Sequence, residues 1–325
     1  MPNETVLVIG ASGFIGKRIA EVLEAARPGT VRRGYSRAVP PDGVLCNLAD
    51  ASTLRAAMRD VSVVINCARS PWGLEEGRAA ARNLAGAAAS TGVGKLIHMS
   101  SIAVYGSQVG LLDEGRAPGP ELSEYGLEKI ETERILREAA APELRIVALR
   151  PGLVYGRNGR EWFDYFVADG HLRQLRDLGP MGDGDANLVH VDDLADFCRT
   201  LADADIPEFS VANVVGDDVP TFNRYFALLA RAGGLGTLPP RLEGRKKWEA
   251  RRLLLRVLGK VAAKVPVPSI RLLARRGPRI ESFDRYTTRI RFTTDRARDL
   301  GFAPRIDVET GIRLAMDGAG KDAAA

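Results

Sequence analysis

Cysteine is scarce in this sequence. Three occur in 325 residues, at Cys46, Cys67 and Cys198, and no two of them have the C-x-x-C spacing. An odd number of cysteines cannot complete a disulfide framework. We therefore expect reduced thiols that are packed in the interior.

Long apolar runs are missing as well. No stretch of about 18 uncharged apolar residues, the length that crosses a bilayer, occurs in the chain. The N-terminal residues 1–4 have none of the basic segment, long apolar core and cleavage site of a signal peptide. We expect no transmembrane segment and a cytoplasmic location.

The excess of positive charge is small. A formal net charge of +5 is modest for this length and does not indicate a nucleic-acid partner. The excess is concentrated in residues 241–279, and residues 248–265 within it carry apolar side chains at helical spacing. This pattern predicts an amphipathic helix packed on a substrate domain, and residues 248–276 also offer a surface for peripheral membrane contact.

Strand and helix patterns alternate through the first half of the chain. Strands are predicted at 5–9, 31–36, 44–45, 61–67, 95–100 and 145–149, and helices at 17–26, 52–58, 77–90 and 121–140. Strands that alternate with helices form a doubly wound parallel sheet, so the predicted class is α/β. After Pro151 the alternation weakens, and a second, less regular domain is expected there.

A glycine-rich turn joins the first predicted strand to the first predicted helix. Gly10, Gly13 and Gly16 are separated by two residues each. Glycine lets the main chain turn tightly and approach a pyrophosphate, whose charge then faces the amides at the helix N-terminus. A tight turn without a ligand is the plainer interpretation, and the spacing differs from the G-x-G-x-x-G fingerprint.

The end of the second predicted strand carries Ser36 and Arg37 where an NAD site normally has Asp or Glu. A guanidinium suits a ribose phosphate, so the pattern favours NADP(H), with NAD(H) as the alternative. Arg37 as a solvated loop residue is the other interpretation.

Tyr125 and Lys129 are four residues apart, so they share one face of the helix predicted at 121–140. A nearby ammonium favours a phenolate and lowers the phenol pKa, which suits a proton acceptor near neutral pH. Ser101 follows a predicted strand at the edge where open α/β sheets bind ligands. Each feature alone also occurs by chance on ordinary helices and turns.

These motifs occur together in a characteristic order. They are G-x-x-G-x-x-G at 10–16, S-S-x-x-V-Y-G at 100–106, Y-x-x-x-K at 125–129, LRPGLVYG at 149–156, VHVDDLA at 189–195 and FTTDRARDLGFAP at 292–304. In this order the sequence resembles the NAD-dependent epimerase/dehydratase branch of the extended short-chain dehydrogenases. The resemblance implies a Rossmann-type NAD(P)-binding domain, mainly residues 1–155 with later segments returning to it, and a smaller substrate domain, mainly residues 156–325.

The resemblance also implies roles for individual residues. Tyr125 is the expected general acid/base, Lys129 lowers its pKa and binds ribose, Ser101 orients the reacting oxygen, and Asn83 supports the site. The expected cofactor-binding residues are Gly10, Ser12, Gly13, Phe14, Ile15, Gly16, Arg37, Asn47, Leu48, Ala68, Tyr125, Lys129, Pro151 and Val154. Asn47 replaces the usual Asp, and Arg69 is bulkier than the small residue expected after Ala68.

The resemblance leaves several functions open. The first is an epimerase, dehydratase or reductase of a nucleotide sugar. The second is a dehydrogenase or ketoreductase of a steroid-like or other hydrophobic alcohol, and the third is an NADP(H)-binding sensor without turnover. A homodimer is expected from the family. His190, Asp192 and Asp193 are expected to be structural, because Tyr-based proton chemistry needs no metal.

Overall fold

The computed structural model describes residues 4–69, 73–168, 171–240 and 286–322, with side chains to residue 317. The helix predicted at 248–265 and the surface at 248–276 lie outside these ranges. Two compact units make up the chain. The first comprises Met1–Asp164, Asn187–Asp218 and Arg291–Ala325, and the second comprises Tyr165–Ala186 and Val219–Ile290.

A seven-stranded sheet forms the centre of the first unit. The strands of the described chain are β1 (Val6–Ile9), β2 (Val31–Tyr35), β3 (Gly43–Leu45), β4 (Val63–Asn66), β5 (Lys95–Met99), β6 (Gly110–Leu112), β7 (Arg145–Pro151), β8 (Leu153–Tyr155), β9 (Leu188–His190), β10 (Phe209–Val214) and β11 (Ile290–Phe292). The central sheet has the order β10-β7-β5-β4-β1-β2-β3, and all of its pairs are parallel. The predicted α/β class with a doubly wound parallel sheet is confirmed.

Helices connect the strands. In the described ranges the α-helices are α1 (Phe14–Ala26), α2 (Ala51–Ala57), α3 (Leu74–Thr91), α4 (Glu124–Ala139), α5 (Tyr165–Val167), α6 (Val191–Asp203), α7 (Phe222–Ala232), α8 (Asp295–Asp299) and α9 (Val308–Asp322). None of the helices in the described ranges is long and apolar enough to cross a membrane.

The sheet has an apolar layer on each face, and both layers follow from the alternation of side chains along buried strands. Val6 and Val8 of β1 pack with residues of α1 and α6 on one face. Leu7 and Ile9 pack with residues of α2, α3 and α4 on the other. Every residue of β1 is therefore buried, which explains its uninterrupted aliphatic sequence.

The second unit has an aromatic core of its own. It includes Phe166 of α5, Phe222 and Phe226 of α7, and Tyr286. The ring centroids of Phe222 and Tyr286 are 4.8 Å apart, in an edge-to-face arrangement that aromatic pairs prefer.

Candidate active site

The glycine turn is shaped by contacts that only glycine permits. Gly10 has a φ of +82°, a left-handed conformation that side chains disfavour. A Cβ on Gly10 would lie 2.8 Å from the main-chain nitrogen of Ala68, and a Cβ on Gly16 would lie 2.3 Å from the carbonyl oxygen of Gly10. The turn therefore brings the ends of β1 and β4 and the start of α1 into close contact.

The N-terminus of α1 is open to an anion. Gly13 is its N-cap and provides no side-chain hydrogen bond, and the first turn carries no acidic residue. Ser12 and Gly13 are exposed. First-turn amides of a helix lack internal acceptors and favour negative charge, so these residues fit the pyrophosphate of a dinucleotide.

Arg37 follows β2 at the same edge of the sheet and is exposed. Two nearby arginines are engaged elsewhere. Arg32 donates to two main-chain carbonyls at the end of α2, and Arg33 pairs with Asp42. In the described part of the chain Arg37 has no such hydrogen bond or ion pair, so it is the arginine of this group that can meet a ligand.

Asn47 and Leu48 lie between β3 and α2, and Asn83 is held against them. The Asn47 side chain accepts from the main-chain nitrogen of Ala49 at 3.0 Å. The Asn83 side chain donates to the carbonyl oxygen of Leu48, also at 3.0 Å. Asn83 was expected to support the active-site geometry. Its described hydrogen bond supports the loop that is expected to contact the cofactor.

Two further expected cofactor contacts lie where strands end. The main-chain nitrogen of Ala68, just beyond β4, donates to the side chain of Asn66 at 3.1 Å. Pro151 is buried at the end of β7, and Val154 lies in β8 opposite Val189 of β9. The carboxyl ends of β1, β4 and β7 lie at one edge of the parallel sheet, so these residues and the glycine turn share that edge.

Tyr125 and Ser101 meet at this edge. Tyr125 is in the first turn of α4, which begins after the N-cap Ser123, whose side chain accepts from the main-chain nitrogen of Gly126. Ser101 caps the short 3-10 helix Ile102–Tyr105 that follows β5. The side chains of Ser101 and Tyr125 lie close together, and Ser101 acts to lower the pKa of the Tyr125 phenol.

Lys129 lies one helical turn after Tyr125 and is buried, with only 3% of its surface exposed. Its Nζ donates to the carbonyl oxygen of Met99 at 3.0 Å and lies 5.6 Å from the centre of the Tyr125 ring. Burial lowers the pKa of Lys129, and Glu128 counters that effect. The hydrogen bond to Met99 fixes the ammonium beneath the phenol.

The pKa of Tyr125 is raised, chiefly by burial, whereas the sequence indicated a lowering by Lys129. The nearby Ser101 hydroxyl and the charge of Arg69 act in the opposite direction and lower the pKa of Tyr125. Burial outweighs them because it removes water from the charged form of the phenol. At neutral pH the described residues by themselves therefore keep the Tyr125 side chain in its neutral phenol form.

Arg69 contributes to this site in a way that the sequence did not predict. Its guanidinium carbon lies 5.0 Å from the centre of the Tyr125 ring, within the range of a cation–π contact. The signal in the sequence was that a bulky arginine follows Ala68 where a small residue was expected. This marked Arg69 as unusual but did not indicate which side chain it contacts.

A buried ionic network behind the site was also missed. Glu133 of α4 accepts two hydrogen bonds from Arg150 of β7, at 2.9 and 2.6 Å. Arg150 also donates to the hydroxyl of Tyr105 at 2.9 Å, and Ser100 donates to Glu133. The network joins α4 to the segments on either side of Ser101. The signal for this network in the sequence was the position of Glu133, four residues after Lys129.

His190, Asp192 and Asp193 make structural contacts. The Nδ1 atom of His190 accepts from the main-chain nitrogen of Asp192 and so caps α6. Asp192 pairs with Arg18 at 2.6 Å, and Asp193 accepts main-chain hydrogen bonds from Arg305 and Ile306. These contacts join α6 to α1 and to the C-terminal segment.

Comparison with known proteins gives a consistent result. The sequence model of the NAD dependent epimerase/dehydratase family matches residues 6–214. N-acetyl-alpha-D-glucosaminyl-diphospho-ditrans,octacis-undecaprenol 4-epimerase of Escherichia coli O157:H7 is 30% identical over 170 residues, which are 49% of this chain and 51% of that protein. UDP-glucose 4-epimerase of Vibrio cholerae is 27% identical over 225 residues, 62% of this chain and 67% of that protein. The chain thus spans from about half to two thirds of the length of these relatives.

A solved structure has the same fold over nearly the whole chain. MoeE5 in complex with UDP-glucuronic acid and NAD matches with a TM-score of 0.71 and 21% sequence identity. The match covers 98% of this chain and 99% of that one.

Proposed function

Because this chain belongs to the NAD-dependent epimerase/dehydratase family, which its match over residues 6–214 shows, we propose that it interconverts a hydroxyl and a carbonyl group on a nucleotide sugar with the help of a nicotinamide cofactor. The observation that supports this most is the contact of Ser101 with Tyr125 above a buried Lys129, at the sheet edge that also carries the glycine turn. Epimerase, dehydratase and reductase reactions all use this interconversion.

Tyr125 is the proposed proton donor and acceptor. When bound, the nicotinamide supplies the site that accepts or returns hydride. Tyr125 accepts the proton of the reacting hydroxyl as the carbonyl forms, and donates it when the carbonyl is reduced. Ser101 hydrogen-bonds the reacting oxygen and favours the phenolate of Tyr125. Lys129 holds the ribose and supplies positive charge below the phenol.

The first unit is the proposed cofactor domain. The open N-terminus of α1 would hold the pyrophosphate, the loop at Asn47 and Leu48 the adenosine, and Ala68, Pro151 and Val154 the nicotinamide side. Arg37 favours NADP(H), because its exposed guanidinium can pair with a ribose phosphate. NAD(H) remains the alternative, since the family description names NAD.

A titration tests the cofactor preference. Arg37→Asp should weaken NADPH binding by about tenfold or more and spare NADH, because one charge-assisted contact is lost and a repulsion is added. Arg82→Asp on α3 is the matched control and should change neither affinity. If NADPH affinity is unchanged in Arg37→Asp, the assignment of Arg37 is wrong.

The nucleotide-sugar substrate is proposed from the relatives, whose names refer to diphospho-linked sugars. Thermal-shift measurement with saturating cofactor should show stabilisation by UDP-glucose or a related sugar, and Tyr125→Phe should retain that binding while losing turnover. Stabilisation only by hydrophobic ketones would favour the hydrophobic-alcohol alternative. If neither NADH nor NADPH binds, the proposed function fails.

A further inference from the structure

Arg69 lies next to the ring of Tyr125, the proposed proton donor. It is the second residue after β4, and the first, Ala68, is in close contact with Gly10 of the glycine turn. Its guanidinium carbon is 5.0 Å from the centre of the Tyr125 ring, and Ser101 lies close enough to that ring to act on the pKa of its hydroxyl. Arg69 therefore borders the point where the reacting oxygen would be held.

The guanidinium of Arg69 is available to a ligand. Arg69 is exposed, and among the described residues its guanidinium lies against the face of the Tyr125 ring. No ion pair or hydrogen bond of Arg69 occurs within residues 4–69, 73–168, 171–240 and 286–317. By contrast, Arg78 and Arg134 of the neighbouring helices α3 and α4 are each paired with Glu131.

The other described charged groups near Tyr125 are two carboxylates and one buried lysine, so the exposed positive charge of Arg69 differs from all of them. Glu128 and Glu161 act on Tyr125 with negative charge, and Lys129 is buried and bonded to Met99. Without Arg69, an anionic group that approaches Tyr125 would therefore meet two carboxylates. Among the described residues whose charges act on Tyr125, no other exposed cation would offset them. A neutral sugar would not be affected by this balance.

We propose that Arg69 binds a carboxylate carried by the substrate next to the carbon that reacts, so that the preferred substrate is a nucleotide sugar with an acidic sugar ring. This inference rests on the proposed function, because it takes Tyr125 as the residue that contacts the reacting oxygen. A planar guanidinium pairs with a carboxylate through two parallel hydrogen bonds, a geometry that lysine cannot provide.

The position of Arg69 favours a carboxylate over the diphosphate of the same substrate. The phenolic oxygen contacts the reacting oxygen, and Arg69 lies over the ring that carries this phenolic oxygen. A substituent one or two bonds from the reacting carbon is within reach of the guanidinium. The diphosphate is attached to the anomeric carbon, and for a reaction on the far side of the ring it lies away from Tyr125.

Two probes that differ in one group test the inference. UDP-glucuronic acid carries a carboxylate where UDP-glucose carries a hydroxymethyl group. Their dissociation constants are measured by calorimetry on the full chain with saturating cofactor, in the Tyr125→Phe background to prevent turnover. We expect UDP-glucuronic acid to bind at least about tenfold more tightly than UDP-glucose.

Variants of Arg69 identify the group responsible. Arg69→Ala should remove the preference by weakening UDP-glucuronic acid about tenfold or more while leaving UDP-glucose unchanged. Arg69→Lys should restore only part of it, and Arg82→Ala, an exposed arginine of α3, should leave it intact. A thermal melt of each variant establishes that it is folded.

The outcomes separate this inference from the proposed function. Failure of NADH and NADPH to bind overturns both. Three outcomes in which the cofactor still binds overturn the role of Arg69 and leave the cofactor site standing. The two sugars bind with equal affinity, UDP-glucose binds more tightly, or neither sugar binds. Equal weakening of both sugars in Arg69→Ala also overturns it, since the contact would then involve the shared diphosphate.

Discussion

The guanidinium of Arg150 and the carboxylate of Glu133 form a two-point ion pair in the interior, with N–O distances of 2.9 and 2.6 Å. Their side chains are 11% and 9% exposed. The pair connects the end of β7 to α4, the helix that carries Tyr125 and Lys129. It therefore couples the stability of the first unit to the placement of the proposed proton donor.

Breaking this pair should destabilise the protein strongly. Glu133→Gln should reduce the free energy of unfolding by about 3 to 5 kcal/mol, because Arg150 would keep a buried charge without its partner. Urea denaturation measures the change. Glu138→Gln, at an exposed position of the same helix, is the control and should change stability little. A loss in Glu133→Gln no larger than in the control would contradict the buried-pair interpretation.

Lys95 should stabilise the end of α6. Its Nζ donates to the carbonyls of Leu201 and Ala202 at 2.8 and 3.0 Å and also to that of Ala204. Carbonyls at a helix C-terminus lack internal donors and attract positive charge. Lys95→Met should therefore lower the free energy of unfolding by about 1 kcal/mol. Unchanged stability in denaturant titration would show that water replaces these contacts without cost.

Two glycines should respond in opposite ways to alanine. Gly16→Ala should lower stability by about 1 to 3 kcal/mol, because the added Cβ meets the carbonyl oxygen of Gly10. Gly86 lies within α3 and nothing is within 4 Å of a Cβ there, so Gly86→Ala should raise stability by about 0.5 to 1 kcal/mol. Thermal and urea unfolding measure both. The same sign for both variants would contradict the packing argument.

Substitution of Asn83 should change the affinity for the cofactor more than the rate of the chemical step. Its side chain holds the carbonyl of Leu48. Asn83→Leu should therefore raise the dissociation constant of the cofactor by about tenfold, the effect of one lost hydrogen bond with a buried partner, and should change kcat little. Stopped-flow titration and steady-state kinetics separate the two effects. A large fall in kcat with an unchanged dissociation constant would return Asn83 to the catalytic group.

The pH dependence of oxidation should depend on Arg69. In the proposed reaction the phenolate of Tyr125 accepts the proton, so the rate of substrate oxidation should rise with pH towards the Tyr125 pKa, which burial raises above its usual value. Arg69 lowers that pKa, so Arg69→Ala should move the rise to higher pH. Other groups that act on Tyr125 are Ser101, Glu128 and Glu161. A profile measured with a neutral substrate that does not move would contradict this effect.

Local sequence patterns predicted much of the first unit. Strand β1 was predicted from aliphatic residues that are buried on both sides, and the predicted helix over 121–140 matches α4 to within a few residues at each end. Both features are set by neighbouring residues, because strand and helix periodicity repeat over short distances. The helical spacing of Tyr125 and Lys129 places them on one face for the same reason.

By itself, therefore, the sequence determined the α/β class, the glycine turn and the helical pair of Tyr125 and Lys129. Only the tertiary structure decided that Arg69 covers the Tyr125 ring, that Asn83 holds Leu48, and that Arg150 pairs with Glu133. The residues of these pairs are separated by long stretches of chain and come together through the parallel sheet. The physical reason is that periodicity acts between neighbouring residues, whereas these contacts depend on which strand ends and helices the completed sheet brings together.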